Sequence, residues 1–469
     1  VKSKGEQEMN GKLPQLIVSL ALGLAVGQAQ AAPPDSLWSL TLGGLLNEKC
    51  YSASQTSDSG YILGGYSRSF AGNEDFWLAK VNVNGDSLWS NTFGGNDQDY
   101  CRAAQQTSEG GYMMAGYTES FGAGGWDAYL VKTDVSGLWL WERTYGGTAN
   151  DYCWSAQQTS DDGYALAGET WSSGAGGADF WLVKTNANGN VLWDSTYGGT
   201  ADDKCHSMQQ TSDNGYILAG ETWSNSAGSA DFWMVKTDAT GDSLWSRRFG
   251  GGGSDICYSV RQTSDNGYVL AGQTFSFGAA GGNFWLVKTD SLGDSLWSRA
   301  FGGGESEVCY SVRETTDGGF ILAGNRYTGS GMKDDFWLVK ASAIGDSLWS
   351  RTFGGSEQDI CYTAEETFDG GFYLAGTTAS FGMGNYDFWL VKTGTDPDLL
   401  QPRNLVAWPD GDSLRLTWQS APLAISYDVM WAPESFGGVW SLLTSTGDTV
   451  AVDTVGVGAK RFYSVMGTN

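Results

Sequence analysis

Seven cysteines stand at positions 50, 101, 153, 205, 257, 309 and 361, and two residues before each is an acid: Glu48, Asp99, Asp151, Asp203, Asp255, Glu307 and Asp359. A lysine recurs as regularly at 80, 132, 184, 236, 288, 340 and 392. A third set, Asp75, Asp127, Asp179, Asp231, Asn283, Asp335 and Asp387, lies just ahead of an aromatic segment. Carboxylates gathered in a ring at one end of a channel would suit Ca²⁺ or another hard cation. The same acids and lysines could instead form ion pairs and turn hydrogen bonds that hold each unit in register, which is what duplication of a structural bond produces. The expectation is therefore no cofactor, with calcium at the first acidic set as the alternative.

The cysteines invite redox or metal chemistry, but none has a second cysteine close enough in sequence to make a metal knuckle. Their number is odd. Equivalent positions on neighbouring inner strands of a ring should lie roughly 8–12 Å apart, beyond the reach of a disulfide. Seven free thiols, buried as small hydrophobes between units, are expected. His206 is the one histidine and follows Cys205. Adjacent residues on a strand point to opposite faces, so the two should not form a nucleophile pair. No Gly-x-Ser-x-Gly, HExxH, P-loop or EF-hand loop occurs. An active site needs different residues in different roles, which in a repeat protein is a break in the pattern. Arg326 with Lys333 is the local departure an enzyme could use.

The elements that carry these residues recur with a period of 52, with one step of 51. In one copy they run Asp255-Ile-Cys-Tyr-Ser-Val-Arg-Gln, then Gly267-Tyr-Val-Leu-Ala-Gly272, then Asn283-Phe-Trp-Leu-Val-Lys288, then Asp294-Ser-Leu-Trp-Ser-Arg299. Each piece is dense in Val, Tyr, Trp, Phe and Thr, and Ser-Asp-Asn-Gly between the first two is hairpin-turn chemistry in which Gly accepts positive φ. Four antiparallel strands repeated seven times predict an all-β fold, a seven-bladed β-propeller over residues 36–394. A solenoid would need polar end caps, and the outer copies are as regular as the inner ones. The pattern begins at Leu37-Trp38, a fourth piece, and ends at Asp387 to Lys392, a third piece. Residues 37–42 should therefore pair with 386–392, so that an N-terminal strand closes the last blade and covers two exposed edges.

The units Gly-Tyr-Val-Leu-Ala-Gly, Asp-Phe-Trp-Leu-Val-Lys and Asp-Ser-Leu-Trp-Ser-Arg resemble the propeller repeats of secreted bacterial proteins and, distantly, quinoprotein-type blades. The resemblance implies architecture; that fold hosts lectins, enzymes, adhesins and scaffolds. Quinoprotein alcohol dehydrogenases carry eight blades and a metal-assisted cofactor pocket, unlike seven units with a single histidine.

Net charge is −26, a surface that repels polyphosphates and anionic lipids, which argues against nucleic acid and membrane partners. Residues 1–31 read as a signal peptide: Lys12 is a positive start, Leu13 to Gly27 an apolar stretch, and Ala29-Gln-Ala31 a small-residue cleavage site. A secreted or cell-surface location follows. Residues 395–402 read as a linker, and 403–469 resemble a fibronectin type III β-sandwich through Leu414-Arg-Leu-Thr-Trp418, Tyr427-Asp-Val-Met430 and Phe462-Tyr-Ser-Val465. The match stops before a seventh strand: either the chain is truncated there, or the open edge accepts a strand from a partner, a route to self-association by strand addition.

The variable loop between second and third pieces carries a recurring aromatic: Tyr66, Tyr117, Trp171, Trp223, Phe275 and Tyr327. Such rings on one rim suit stacking on sugars or anchoring a protein, unless they tuck between blades as packing. The expected function is exported, non-enzymatic binding or adhesion to a glycan or extracellular protein. The alternatives are a glycan-active hydrolase or lyase in the channel mouth and a structural filament component.

Overall fold

A computed structural model describes residues 33–396, apart from 225, 227–228 and 328–332, together with the backbone of six further strands between 403 and 468. The signal peptide expected at 1–31 lies outside the described residues, and so does the linker expected at 395–402 except for Thr395, which ends the strand Asp387–Thr395, and Asp396, which is buried.

Twenty-eight strands form seven four-stranded antiparallel sheets arranged as the blades of a β-propeller. The first blade takes Glu48–Gln55, Tyr61–Ser67, Asp75–Val81 and Ser87–Phe93 in order, and the Cys-bearing strand is innermost in every blade. The burial of each strand explains its composition. Second and third strands such as Tyr268–Thr274 and Asn283–Thr289 are buried along their whole length, because neighbouring blades cover both faces. They accordingly read as unbroken apolar runs. The first strand alternates, with one face toward the central channel. The fourth, on the outside, is largely exposed.

Seven apolar cores result, one at each blade interface. Ile62, Phe76 and Leu78 of the first blade meet Cys101, Tyr112, Met114 and Tyr129 of the second. Tyr373, Phe388 and Leu390 of the last meet Cys50, Tyr61, Leu63 and Trp77 of the first. No blade covers its own faces, so stability is shared around the ring. All seven cysteines are free and buried in these interfaces, as their spacing predicts.

Ring closure follows the predicted register. Ser36–Leu42 pairs with Asp387–Thr395, Trp38 facing Lys392, Leu40 facing Leu390 and Leu42 facing Phe388. The turn chemistry differs from expectation in one respect. Positive φ falls on the residue before the last glycine of the turn, at Ser59, Asp162, Asn214 and Asn266, or on Gly110, Gly318 and Gly370 where two glycines stand together. The glycine that follows is needed for space: a Cβ on Gly60 would lie 2.4 Å from the Val81 carbonyl oxygen.

Beyond the propeller, Arg403–Asp410, Ser413–Gln419 and Val450–Thr454 form one three-stranded sheet, and Ser441–Thr446, Ser426–Ala432 and Phe462–Thr468 another. The fibronectin-like packing expected for 403–469 depends on side chains outside the described residues.

Candidate functional site at the channel mouth

Two of the repeated polar sets are structural. Each lysine is buried and clamps an acid of the turn between first and second strands: Lys80 with Asp58 at 3.0 Å, Lys236 with Asp213 at 2.9 Å, Lys288 with Asp265 at 2.8 Å. The acids two before each cysteine are fully buried and do not form a cation ring at the mouth, which corrects that expectation for Glu48, Asp99, Asp151, Asp203, Asp255, Glu307 and Asp359. They cap loops of the upper face, where first strands begin and second strands end. Glu48 accepts from Ser67 Oγ, from the Ser69 amide at 3.0 Å and from the Gly44 amide at 2.7 Å. Asp255 does the same for Thr274, Ser276 and the Gly251 amide. Where hydrogen bonds satisfy such a buried acid it is a registering device; Glu307 departs from this, its oxygens lacking a hydrogen-bond partner and Arg326 Nε lying 3.6 Å away.

The cysteines are chemically quiet: burial pushes every thiol pKa up. Cys205 donates weakly to the Ser207 carbonyl at 3.5 Å, while His206 turns the other way, into the channel. No nucleophile pair exists between them.

His206 instead belongs to a collar. The residue after each cysteine sits on a β-bulge, where the register with the second strand shifts by one. This aims Tyr51, Arg102, Trp154, His206, Tyr258, Tyr310 and Tyr362 at the channel axis. Neighbours touch all the way round: Tyr51 to Tyr362 at 4.9 Å between centroids, Tyr362 to Tyr310 at 5.0 Å, Tyr310 to Tyr258 at 5.1 Å and Tyr258 to His206 at 5.2 Å. Trp154 follows at 6.1 Å from His206, and Arg102 closes the circle over Trp154 at 4.6 Å and Tyr51 at 3.8 Å. Burial and the Lys204 cation pull the His206 pKa down to about 4, so the imidazole is neutral at pH 7.

Above the collar, toward the upper face, lie seven cross-strand pairs: Lys49 with Tyr66, Tyr100 with Tyr117, Tyr152 with Glu169, Lys204 with Glu221, Ile256 with Gln273, Val308 with Asn325 and Ile360 with Thr377. These positions and the collar vary from copy to copy where most of the blade does not. They divide the mouth into three sectors. Blades one and two are aromatic: Tyr66 packs on Tyr100 and Trp126 on Tyr117, while the Arg102 guanidinium lies over Tyr100 and Tyr117 and donates to Tyr117 Oη. Blades five to seven are uncharged, with Ile256, Val308 and Ile360 facing Gln273, Asn325 and Thr377. Blades three and four hold Glu169, Lys204 and Glu221.

Lys204 lies 4.0 Å from Glu221. Burial raises the Glu169 carboxyl to about 7, against the pull of Lys204 and with the push of Glu221 and Asp202; burial also raises Glu221. Glu169 Oε2 and Trp154 Nε1 are buried without a hydrogen-bond partner. Such groups are costly to keep and raise the question of what they serve.

The aromatics expected on the rim separate into two positions. Tyr66 and Tyr117 lie within second strands and are buried, which corrects their assignment to the rim: they pack inside the mouth. Trp171, Trp223 and Phe275 stand two residues further on, at 46%, 47% and 51% exposure, on the upper rim of blades three, four and five. Each is fixed by its own amide, Trp171 to the Asn150 carbonyl at 2.9 Å, Trp223 to that of Asp202 and Phe275 to that of Ser254 at 3.0 Å. Tyr327 occupies the same position in blade six, half-buried. Arg326 reaches back to Glu307 at 3.6 Å and over Trp337, so it serves its own blade.

Sequence reasoning missed Glu169, Lys204, Glu221 and the collar. Their signal was variation at fixed offsets from the cysteine, inside strands that otherwise hardly change.

No protein-family model matches the chain, and no curated protein matches it. Among solved structures it aligns with Sqt1 from Chaetomium thermophilum at 10% identity, covering 83% of this chain and 98% of that one, TM-score 0.41. It aligns with puromycin hydrolase at 11% identity over 79% of this chain and 58% of that one, TM-score 0.44. An ancestral GH74 enzyme aligns at 11% identity over 86% of this chain and 52% of that one, TM-score 0.43.

Proposed function

We propose that this chain is an exported binding protein that recognises a glycan at the upper mouth of its propeller. One observation carries the reading: Trp171, Trp223 and Phe275 occupy the same position on three consecutive blades, half-exposed and held by backbone hydrogen bonds. Large flat rings left in water along an arc give C–H faces of successive sugars a surface to stack on, and the carboxylates beneath supply hydrogen-bond acceptors for hydroxyls. The acidic surface favours neutral or cationic ligands over sulfated or uronic ones. A glycan array with the wild-type chain and with Trp171→Ala/Trp223→Ala tests this. Loss of binding in the double variant supports it, and an undiminished array signal removes it. A parallel pull-down that finds a protein ligand instead would move the same rim to adhesion.

A second reading is a hydrolase or lyase in the same mouth, favoured by Glu169 and Glu221 on adjacent blades, both with raised carboxyl pKa values. Release of reducing ends from an oligosaccharide by wild type, abolished by Glu169→Gln, would establish it. A structural role is carried by Phe462–Thr468, which among the described residues pairs on one side alone, with Ser426–Ala432. Concentration-dependent oligomers lost on removal of that strand would support strand addition.

A further inference from the structure

The acidic sector is short of positive charge. Glu169, Glu221 and Asp202 converge on a single cation, Lys204. Glu169 is 6% and Glu221 7% exposed, so neither is well served by water. Glu169 Oε2 has no hydrogen-bond partner, and Trp154 Nε1, a donor in the collar beside His206, has none either. His206 supplies no charge, and Arg102 donates to Tyr117 and lies over four rings, those of Tyr51, Tyr100, Tyr117 and Trp154, with its Nε buried and unpartnered. Elsewhere in the ring the equivalent position carries no charge, although Asn325 Oδ1 and Thr377 Oγ1 are, like Glu169 Oε2, buried without a hydrogen-bond partner. Gln273 donates to the Glu307 carbonyl at 3.1 Å and to Ser306 Oγ at 3.2 Å, while Tyr66 and Tyr117 pack as rings.

We infer that the mouth is built for a protonated amino sugar, a hexosamine whose ammonium group sits between Glu169 and Glu221 while its ring faces Trp171 or Trp223. The inference rests on the glycan reading above and narrows it to a ligand class. An ammonium brings the missing charge and several donors to an orphaned carboxylate oxygen, and charge-assisted hydrogen bonds are roughly twice as strong as neutral ones. An N-acetylated sugar brings one neutral N–H and a carbonyl oxygen, which the carboxylates repel. Trp154 Nε1 remains to donate to a sugar hydroxyl or ring oxygen.

The test is calorimetry of the full chain with the hexamer of glucosamine and the hexamer of N-acetylglucosamine, at fixed salt and at several pH values on both sides of about 7, where the Glu169 carboxyl ionises. The glucosamine hexamer is expected to bind at least tenfold more tightly. Glu169→Gln/Glu221→Gln should erase that preference, and Gln273 shows that the position accepts glutamine within an intact blade. Asp294→Asn/Asp346→Asn removes the same charge on the outer flank and should leave the preference intact. Equal binding of the two hexamers, preference for the acetylated one, or an equal loss in the flank variant overturns the inference and leaves glycan recognition standing. Failure to bind either hexamer or any sugar of the array overturns the glycan reading itself.

Discussion

The Phe368 amide in the last blade donates to Gln55 Oε1 in the first, at 3.1 Å. It is the seventh link of a chain of equivalent bonds. Ser57 donates to Gln106 at 2.8 Å, Ser108 to Gln158 at 2.8 Å, Ser160 to Gln210 at 2.9 Å and Ser212 to Gln262 at 2.8 Å. Ser264 to Glu314 and Thr316 to Glu366, both 2.7 Å, complete the set. On the lower face the propeller is thus laced by one polar bond per interface, and in its middle by the aromatic collar. Both circuits close only because seven units turn through a full circle.

The N-terminal strand is expected to hold that circle shut. Trp38 meets Tyr61 edge-on at 5.9 Å between centroids, and Leu40 and Leu42 pack on the last interface. A chain starting at Gly43 should melt well below the full chain and self-associate through the bared edge of Asp387–Thr395. The peptide Ser-Leu-Trp-Ser-Leu-Thr-Leu added in trans should restore part of the loss, and the same peptide with Ala for Trp should restore less. An unchanged melting temperature after truncation would contradict the role assigned to this strand.

Thiol reagents should find the native protein almost inert. All seven thiols are buried and their pKa values are raised, so little thiolate is exposed to react. Titration with an aromatic disulfide is expected to report close to no reactive thiol in buffer and close to seven in denaturant. Several fast-reacting thiols in buffer would place the cysteines outside the blade interfaces.

Architecture was legible from the chain because every blade repeats it. The phase of the pattern at Leu37 and Lys392 sufficed to place the closing ladder. The site was not, since repetition hides exceptions. Tyr117 and Trp171 looked like one rim, yet they lie two residues apart in the blade frame. That offset decides between a ring inside the mouth and one in solvent. Glu169 and Glu221 sit within second strands whose apolar surroundings read as core. Only the bulge beside each first strand, invisible in composition, shows that one polar face turns toward the axis.

Stability should peak in the mildly acidic range. Burial alone would raise the Asp58 carboxyl, but Thr56, Lys80 and the Gly60 amide outweigh it and hold it at about 2, with Asp265 likewise. These clamps contribute fully above the unfolded value of about 4 and are lost as pH falls toward 2. Asp75 works in the opposite sense: burial, then Asp99 and Glu74, raise it to about 7. Its contribution is full below about 4 and is lost as pH rises through 7, and Asp127, Asp179 and Asp387 shift in the same direction. Thermal unfolding against pH should therefore show a maximum near pH 4–5, and Asp75→Asn should flatten the neutral limb, as the natural Asn283 permits. A melting temperature that climbs from pH 5 to pH 8 would refute this assignment.

Gly220→Ala should be among the most damaging substitutions. A Cβ there would lie 1.9 Å from the Lys204 carbonyl oxygen and 2.9 Å from Cys205 Cα, both backbone atoms of the bulged strand. Neither can move without undoing the bulge, so a loss of about 3 kcal/mol or more is expected from denaturant unfolding. A loss under about 1 kcal/mol would mean that the bulge is not held by this close approach.

His206 reports on the mouth directly, because it is the one histidine of the chain. Its ring signals are therefore assignable in a magnetic resonance titration without further labelling. Burial is the larger cause of its low pKa and Lys204 the smaller. The midpoint is accordingly expected near 4, below the ordinary histidine value of about 6.5. Lys204→Met removes the nearby cation and should move the midpoint upward by a fraction of a unit, with burial still holding it below the ordinary value. Binding of a cationic sugar between Glu169 and Glu221 would bring a positive charge toward the same ring and move the midpoint down. A midpoint near 6.5 in the free protein would mean that the imidazole stands in open water, and that the collar linking Trp154 to Tyr258 through His206 does not form.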